Sequence, residues 1–102
     1  MDLSQKDWTE KLQQVKESII IDVRTIHEYE EGHLSDAKLL DIQNPSGFMD
    51  ALTSLDSTKT YFVYCRSGAR SAQACQLMKN YGLDNCYNLL GGILEWQGEV
   101  LI

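Results

Sequence analysis

Within six residues, the stretch CRSGAR (65–70) places one thiol, two guanidinium groups and a glycine. It directly follows TYFVY (60–64), whose β-branched and aromatic residues have the composition of a buried strand. Such a strand delivers Cys65 to its carboxyl edge. A helix starting a few residues later presents N–H groups that have no internal partners and carry partial positive charge. A short turn that curls these amides around one sulfur is an anion nest. Gly68 gives the backbone conformations closed to a residue with a Cβ, and no acid lies between Cys65 and Asp84. The expectation is a Cys65 thiol with a lowered pKa that acts as a nucleophile. The amides of Ser67, Gly68 and Ala69 are candidates to hold the sulfur. Arg66 and Arg70 are candidates to hold an anionic reactant. The plainer alternative is a buried cysteine in an ordinary strand-to-helix turn, since cysteine is among the most buried residue types. Two arginines and a glycine immediately after it do not suit an apolar burial site.

The elements that must position this loop are legible in outline. In SQKDWTEKLQQVKE, Ser4 is a candidate N-cap with Asp7 three residues on, and Trp8, Leu12 and Val15 recur at helical spacing. SIIIDV (18–23) is a continuous apolar run, the pattern of a strand buried on both faces. TIHE (25–28) has the form of a capping box opening a short helix that ends near Gly32. AKLLDI (37–42) is a weaker strand candidate, and SGFMDALTSL (46–55) follows the Asn44-Pro45 turn signal as a short helix. Ala74, Leu77, Met78 and Tyr81 make one helical stripe over 69–81, with Gly82 as its stop. CYNLL (86–90) reads as a last strand before the turn or helix at GGILEW (91–96). Strands alternating with helices imply an α/β fold whose mainly parallel sheet is covered on both faces, with ligands gathering at the carboxyl strand ends.

Composition narrows the function classes. The chain has 102 residues, enough for one domain spanning 1–102, and 43% hydrophobic with 24% charged residues is ordinary for a globular protein. A formal charge of -6 opposes a general nucleic-acid or anionic-membrane surface. No stretch approaches membrane-spanning length, and the amino terminus lacks the apolar core of a signal peptide. Three scattered cysteines, Cys65, Cys75 and Cys86, make neither a disulfide framework nor a zinc motif. An odd count leaves a free thiol, which suits a reducing compartment. The expectation is a cytoplasmic protein with no metal, no cofactor, no nucleic acid and no membrane partner.

Several residues together resemble the rhodanese, or sulfurtransferase, domain family in its single-domain form. They are Asp22-x-Arg24, Glu28-Tyr29, Gly32-His33, Cys65-Arg66-Ser67-Gly68, Arg70-Ser71, Gly82, Gly91-Gly92 and Trp96, and the likeness runs from about 19 to 96. The resemblance implies a sheet of about five strands with helices on both faces. It also implies that Cys65 takes the outer sulfur of an anionic donor such as thiosulfate as a persulfide. The sulfur then passes to cyanide, a small thiol or a protein thiol. Two other functions stay open: a sulfur-relay module serving a partner protein, and a non-catalytic regulatory domain. Cysteine-based phosphatases, some on this same fold, are similar but place one more residue between cysteine and arginine, usually with histidine before the cysteine. Here Tyr64 precedes Cys65 and the ring is smaller, which suits a sulfur atom better than a phosphoryl or arsenate group.

Other candidates have plainer expected roles. Asp22 and Arg24 end a strand at the same edge and are expected to pair with each other or with loop backbone, bracing the active turn, and Ser71 is a supporting residue beside it. His33 is expected to fix a turn and His27 to sit on a solvated helix. EYEE (28–31) reads as a solvated face, Gly91-Gly92 as a tight turn near the active loop, and Trp8 and Trp96 as packing. Cys75 and Cys86 read as core atoms, with Cys75 too far along the helix from Cys65 to pair with it.

Overall fold

Alternation along one central strand sorts the interior into two layers. In the computed structural model, which describes residues 1–102, that strand is β4 (Thr60–Tyr64). Tyr61 and Val63, and then Cys65, face one layer with Ile21, Val23, Phe48, Leu52, Ala74 and Met78. Phe62 and Tyr64 face the other, with Trp8, Leu34, Ala37 and Leu89. The two-residue period of a strand therefore decides which helices the Cys65 side chain meets.

The remaining elements follow the sequence pattern closely. Strands β1 (Asp2–Leu3), β2 (Ser18–Asp22), β3 (Lys38–Leu39) and β5 (Cys86–Leu89) join β4 in one five-stranded sheet of order β1-β5-β4-β2-β3. Every pairing in it is parallel. Helices α1 (Gln5–Gln14), α2 (Ile26–Glu31), α3 (Pro45–Thr53) and α4 (Ala69–Asn80) connect the strands, and a 3-10 turn (Ile93–Glu95) follows β5. Ser4 caps α1 by accepting from the Asp7 amide at 3.2 Å. Thr25 and Glu28 form the reciprocal capping box at the start of α2.

Departures from the sequence expectation are largest at β1, β3 and the end of α3. β1 was not foreseen, because its two residues become a strand only by pairing Asp2 with Asn88 and Leu3 with Leu89 across the chain. β3 shrinks to two residues, although the Leu40 and Ile42 amides still reach the carbonyls of Asp22 and Val23 beyond it. α3 ends at Thr53, two residues before the expected limit.

The layer opposite Cys65 is anchored by Trp8, which is fully buried and donates its indole N–H to the Tyr87 carbonyl at 3.1 Å. Its ring meets Phe62 and Trp96 edge-on, with centroids 5.6 and 5.8 Å away. Truncating such a residue to alanine costs about 3–5 kcal/mol. No helix is long and apolar enough to cross a membrane.

Candidate active site

Cys65 follows β4 and points into the layer where α4 begins, so its sulfur lies under the first turn of that helix. Gly68, the residue before α4, has φ +107, a conformation that favours glycine, and its amide donates to the Cys65 sulfur at 3.0 Å. The Ser71 hydroxyl, one turn into the helix, stands 3.3 Å from the same sulfur. Cys65 itself is 1% exposed. Burial pushes its thiol up, but hydrogen bonds from the Ser71 hydroxyl and from the amides of Ser71, Gly68 and Ser67 outweigh this, leaving it below the ordinary cysteine value. Hydrogen bonds to the anion decide the outcome. Ala69 opens α4 beside them.

Two carbonyls of the loop are held by backbone amides from the turn after β5. The amides of Ile93 and Leu94 donate to the oxygens of Cys65 and Arg66 at 2.9 and 3.0 Å. Gly92 permits this approach: its backbone sits at φ +58, and a Cβ there would lie 2.6 Å from the Cys65 carbonyl oxygen. The glycine pair thus serves the expected tight turn and also clamps the active loop. Holding the Arg66 carbonyl fixes the peptide plane that carries the Ser67 N–H, one of the donors to the sulfur.

Asn88 is a site residue the sequence reading missed. It is 1% exposed on β5, and its amide nitrogen donates to Asp2 Oδ1 at 3.0 Å and to the Gly68 carbonyl at 3.2 Å. Those two bonds fix the side chain so that its oxygen accepts from the Ser71 hydroxyl. The hydroxyl has a single proton, so the Asn88 oxygen and the Cys65 sulfur compete for it. An asparagine inside the apolar run CYNLL was the available signal.

The arginines have separate roles. Arg70 donates from both terminal nitrogens to the Glu28 carboxylate, each at 2.8 Å. Hydrogen bonding by Arg70 holds that carboxyl at about 2 despite partial burial, with the Thr25 amide assisting. Glu28 therefore belongs to this pair and to the α2 capping box rather than to a freely solvated face. Arg66 is exposed and lines a cavity of about 370 Å³ beside the loop with Arg24, Gly32, Glu31, Ile93 and Leu94.

Asp22 and Arg24 pair with each other at 2.7 Å, buried at 0% and 6% side-chain exposure. Arg24 also donates to the Gly32 carbonyl at 2.6 Å, and Asp22 accepts from the Tyr64 hydroxyl at 2.7 Å. The Tyr64 oxygen in turn accepts from the Leu34 amide at 3.1 Å. The network therefore fastens the Gly32–Leu34 turn to the residue preceding Cys65, from the opposite face of the sheet. His33 stacks on Tyr29 with centroids 3.8 Å apart, while exposed His27 lies on α2.

A model of the rhodanese-like domain matches residues 5–99. A curated sulfurtransferase from Allochromatium vinosum is 29% identical over 96 residues, covering 93% of this chain and 86% of that protein. The adenylyltransferase and sulfurtransferase MOCS3 of Arabidopsis thaliana is 28% identical over 111 aligned positions, but the match spans only 24% of its length. Among solved structures, a rhodanese-like domain protein from Staphylococcus aureus superposes with a TM-score of 0.84 at 29% identity, covering 99% of this chain and 96% of that one. With its five parallel strands, its amide-ringed cysteine and a family match over nearly its whole length, this chain belongs to the rhodanese-like domain family.

Proposed function

We propose that the protein is a sulfurtransferase that carries a sulfane sulfur on Cys65. The observation that carries this reading is the convergence of the Gly68 amide and the Ser71 hydroxyl on one sulfur whose thiolate form they favour. The Cys65 thiolate attacks the outer sulfur of thiosulfate, forming a new S–S bond and releasing sulfite with the electron pair of the broken one. The persulfide anion then occupies the amide ring. Cyanide or a thiolate attacks its outer sulfur, and the Cys65 thiolate leaves with the bonding pair. Each state is anionic, so one preorganised set of donors serves all of them. Ser67, Gly68 and Ser71 hold the sulfur. Arg66, exposed at the cavity wall, binds the donor's sulfonate end, while Arg70 keeps Glu28 and the loop in place. No cofactor enters this cycle. The three unpaired cysteines support a reducing, cytoplasmic setting.

Sulfur relay to a partner protein shares the same intermediate. Leu94 and Val100, 63% and 41% exposed beside the cavity, favour a macromolecular thiol as acceptor. Incubation with thiosulfate followed by intact-mass spectrometry tests both readings. One added sulfur atom is expected, absent in Cys65→Ser. No gain in the unaltered protein, or an equal gain in Cys65→Ser, overturns both. Faster discharge to protein thiols than to cyanide assigns the relay.

A further inference from the structure

Arg24 is held as a brace, yet part of its guanidinium group is left over. The Nε–H is shared by the two Asp22 oxygens at 2.9 and 3.1 Å. Nη2 donates to Asp22 Oδ2 at 2.7 Å and to the Gly32 carbonyl at 2.6 Å, so both of its hydrogens are engaged. A guanidinium carries five N–H bonds, and the two on Nη1 find no acceptor in the protein. Arg24 is only 5% exposed. Among the fully sealed side-chain nitrogens and oxygens, only the Thr9 hydroxyl lacks a partner. Unpartnered Nη1 is therefore not sealed, and the opening that Arg24 borders is the cavity of about 370 Å³ that Arg66 also lines.

The backbone explains why two arginines share that wall. β2 and β4 run parallel with Asp22 opposite Tyr64, and the Val23 amide donates to the Tyr64 carbonyl at 3.1 Å. The two chains leave the sheet side by side, and Arg24 and Arg66 are each two residues beyond that register pair. Asp22 balances the charge of Arg24, and Arg70 balances Glu28. Arg66 and Glu31 are exposed on the wall and make no ion pair. The geometry points to Arg24 Nη1, together with Arg66, as a clamp for the oxyanion end of the sulfur donor, an inference that rests on the transferase reading above. Asp22 and Gly32 fix the Arg24 fork before a ligand arrives, so its free N–H pair meets the anion without reorganisation. Arg66 supplies the uncompensated positive charge, and Glu31 opposes it.

Thiosulfate binding to the Cys65→Ser protein, followed by calorimetry, reads the clamp with sulfur transfer removed. In that background Arg24→Lys keeps a positive charge beside Asp22 and removes Nη1. The dissociation constant should rise about tenfold, as for loss of one hydrogen bond to a charged group. Misfolding of part of the sample would lower the number of sites and leave the affinity of the rest unchanged, so the two causes separate. Glu31→Gln alters only an exposed side chain, and lifting its repulsion should tighten binding about twofold. An unchanged constant in folded Arg24→Lys overturns the clamp. Should that variant not fold, an unchanged constant in Glu31→Gln overturns it instead, as does the absence of binding by the Cys65→Ser protein. Sulfur gain by the unaltered protein alongside any of these results would remove the clamp alone and leave the transferase reading standing.

Discussion

The Ser71 hydroxyl stands 3.3 Å from the Cys65 sulfur while donating distance also links it to the buried Asn88 amide oxygen. Asn88 cannot turn its nitrogen toward Ser71 without abandoning Asp2 and the Gly68 carbonyl. The serine proton thus has two acceptors, and negative charge on sulfur draws it from the neutral amide oxygen toward the thiolate. The loop gains a donor when the anion forms.

Ser71→Ala removes this donor and leaves the Gly68 amide bond in place. A hydrogen bond to a charged group contributes about 1.5 kcal/mol, so alkylation of Cys65 at neutral pH should slow about tenfold. The pH profile of iodoacetamide labelling should move to higher pH. An unmoved profile would assign the thiolate to the backbone amides alone.

Arg66→Ala should separate donor capture from thiol activation. Arg66 is exposed on the cavity wall, whereas both arms of Arg70 are engaged by Glu28. The expected result is a rise in KM for thiosulfate of about tenfold, as for loss of one charge-assisted contact. The labelling profile of Cys65 should stay where it is. A fall in kcat at unchanged KM would give Arg66 a role in the transition state instead.

Asp22→Asn tests the buried network on the other face of the sheet. The substitution leaves the Arg24 guanidinium buried without its counter-charge and weakens acceptance from Tyr64. Breaking a buried pair from one side costs about 3 kcal/mol. Urea unfolding should show that loss, and Asp22→Asn with Arg24→Met should recover part of it. A loss below about 1 kcal/mol would mean that water reaches the pair.

The Glu28–Arg70 pair gives stability a pH signature. The Glu28 carboxyl sits at about 2 in the fold against an ordinary 4.5. A depressed acid contributes stability that is fully present above its unfolded value and lost as pH falls toward its folded value. That window runs from about pH 4.5 down to 2. With side chains 23% and 24% exposed, solvent screening reduces the contribution to about 1 kcal/mol. Glu28→Gln should therefore lower the Tm by about 5 °C at pH 7. The gap should narrow through that window, and a gap independent of pH would remove the charge from the account.

How far the sequence discloses this site depends on the range of each interaction. Local ones were readable: Ser4 and Thr25 cap their helices because a side chain and an amide three residues on suffice. The amide ring around Cys65 was readable for the same reason, since strand, turn and helix start are contiguous. Glu28 and Arg70 lie 42 residues apart, so the acid looked like part of a solvated run until the fold joined them. Asn88 and β1 depend likewise on neighbours at the far end of the chain. Cys75 and Cys86 read as core atoms, and both lie in the buried layer that α4 covers.

Gly92 offers the sharpest test of the clamp that orients the loop. At φ +58 and ψ -160 its backbone lies in a region almost confined to glycine, and a Cβ would press on the Cys65 carbonyl oxygen from 2.6 Å. Gly92→Ala should cost about 2–3 kcal/mol in urea unfolding. The same carbon would meet the Arg66 carbonyl more closely still, and displacing that group rotates the peptide plane that carries the Ser67 N–H, one of the sulfur's donors, so sulfur gain from thiosulfate should fall as well. Gly82→Ala is the control. Its φ is +83, but nothing lies within 4 Å of the added carbon, so it should cost about 1 kcal/mol of backbone strain and leave Cys65 labelling unchanged. Equal effects of the two substitutions on labelling would show that lost stability, and not the contact with Cys65, governs the thiol.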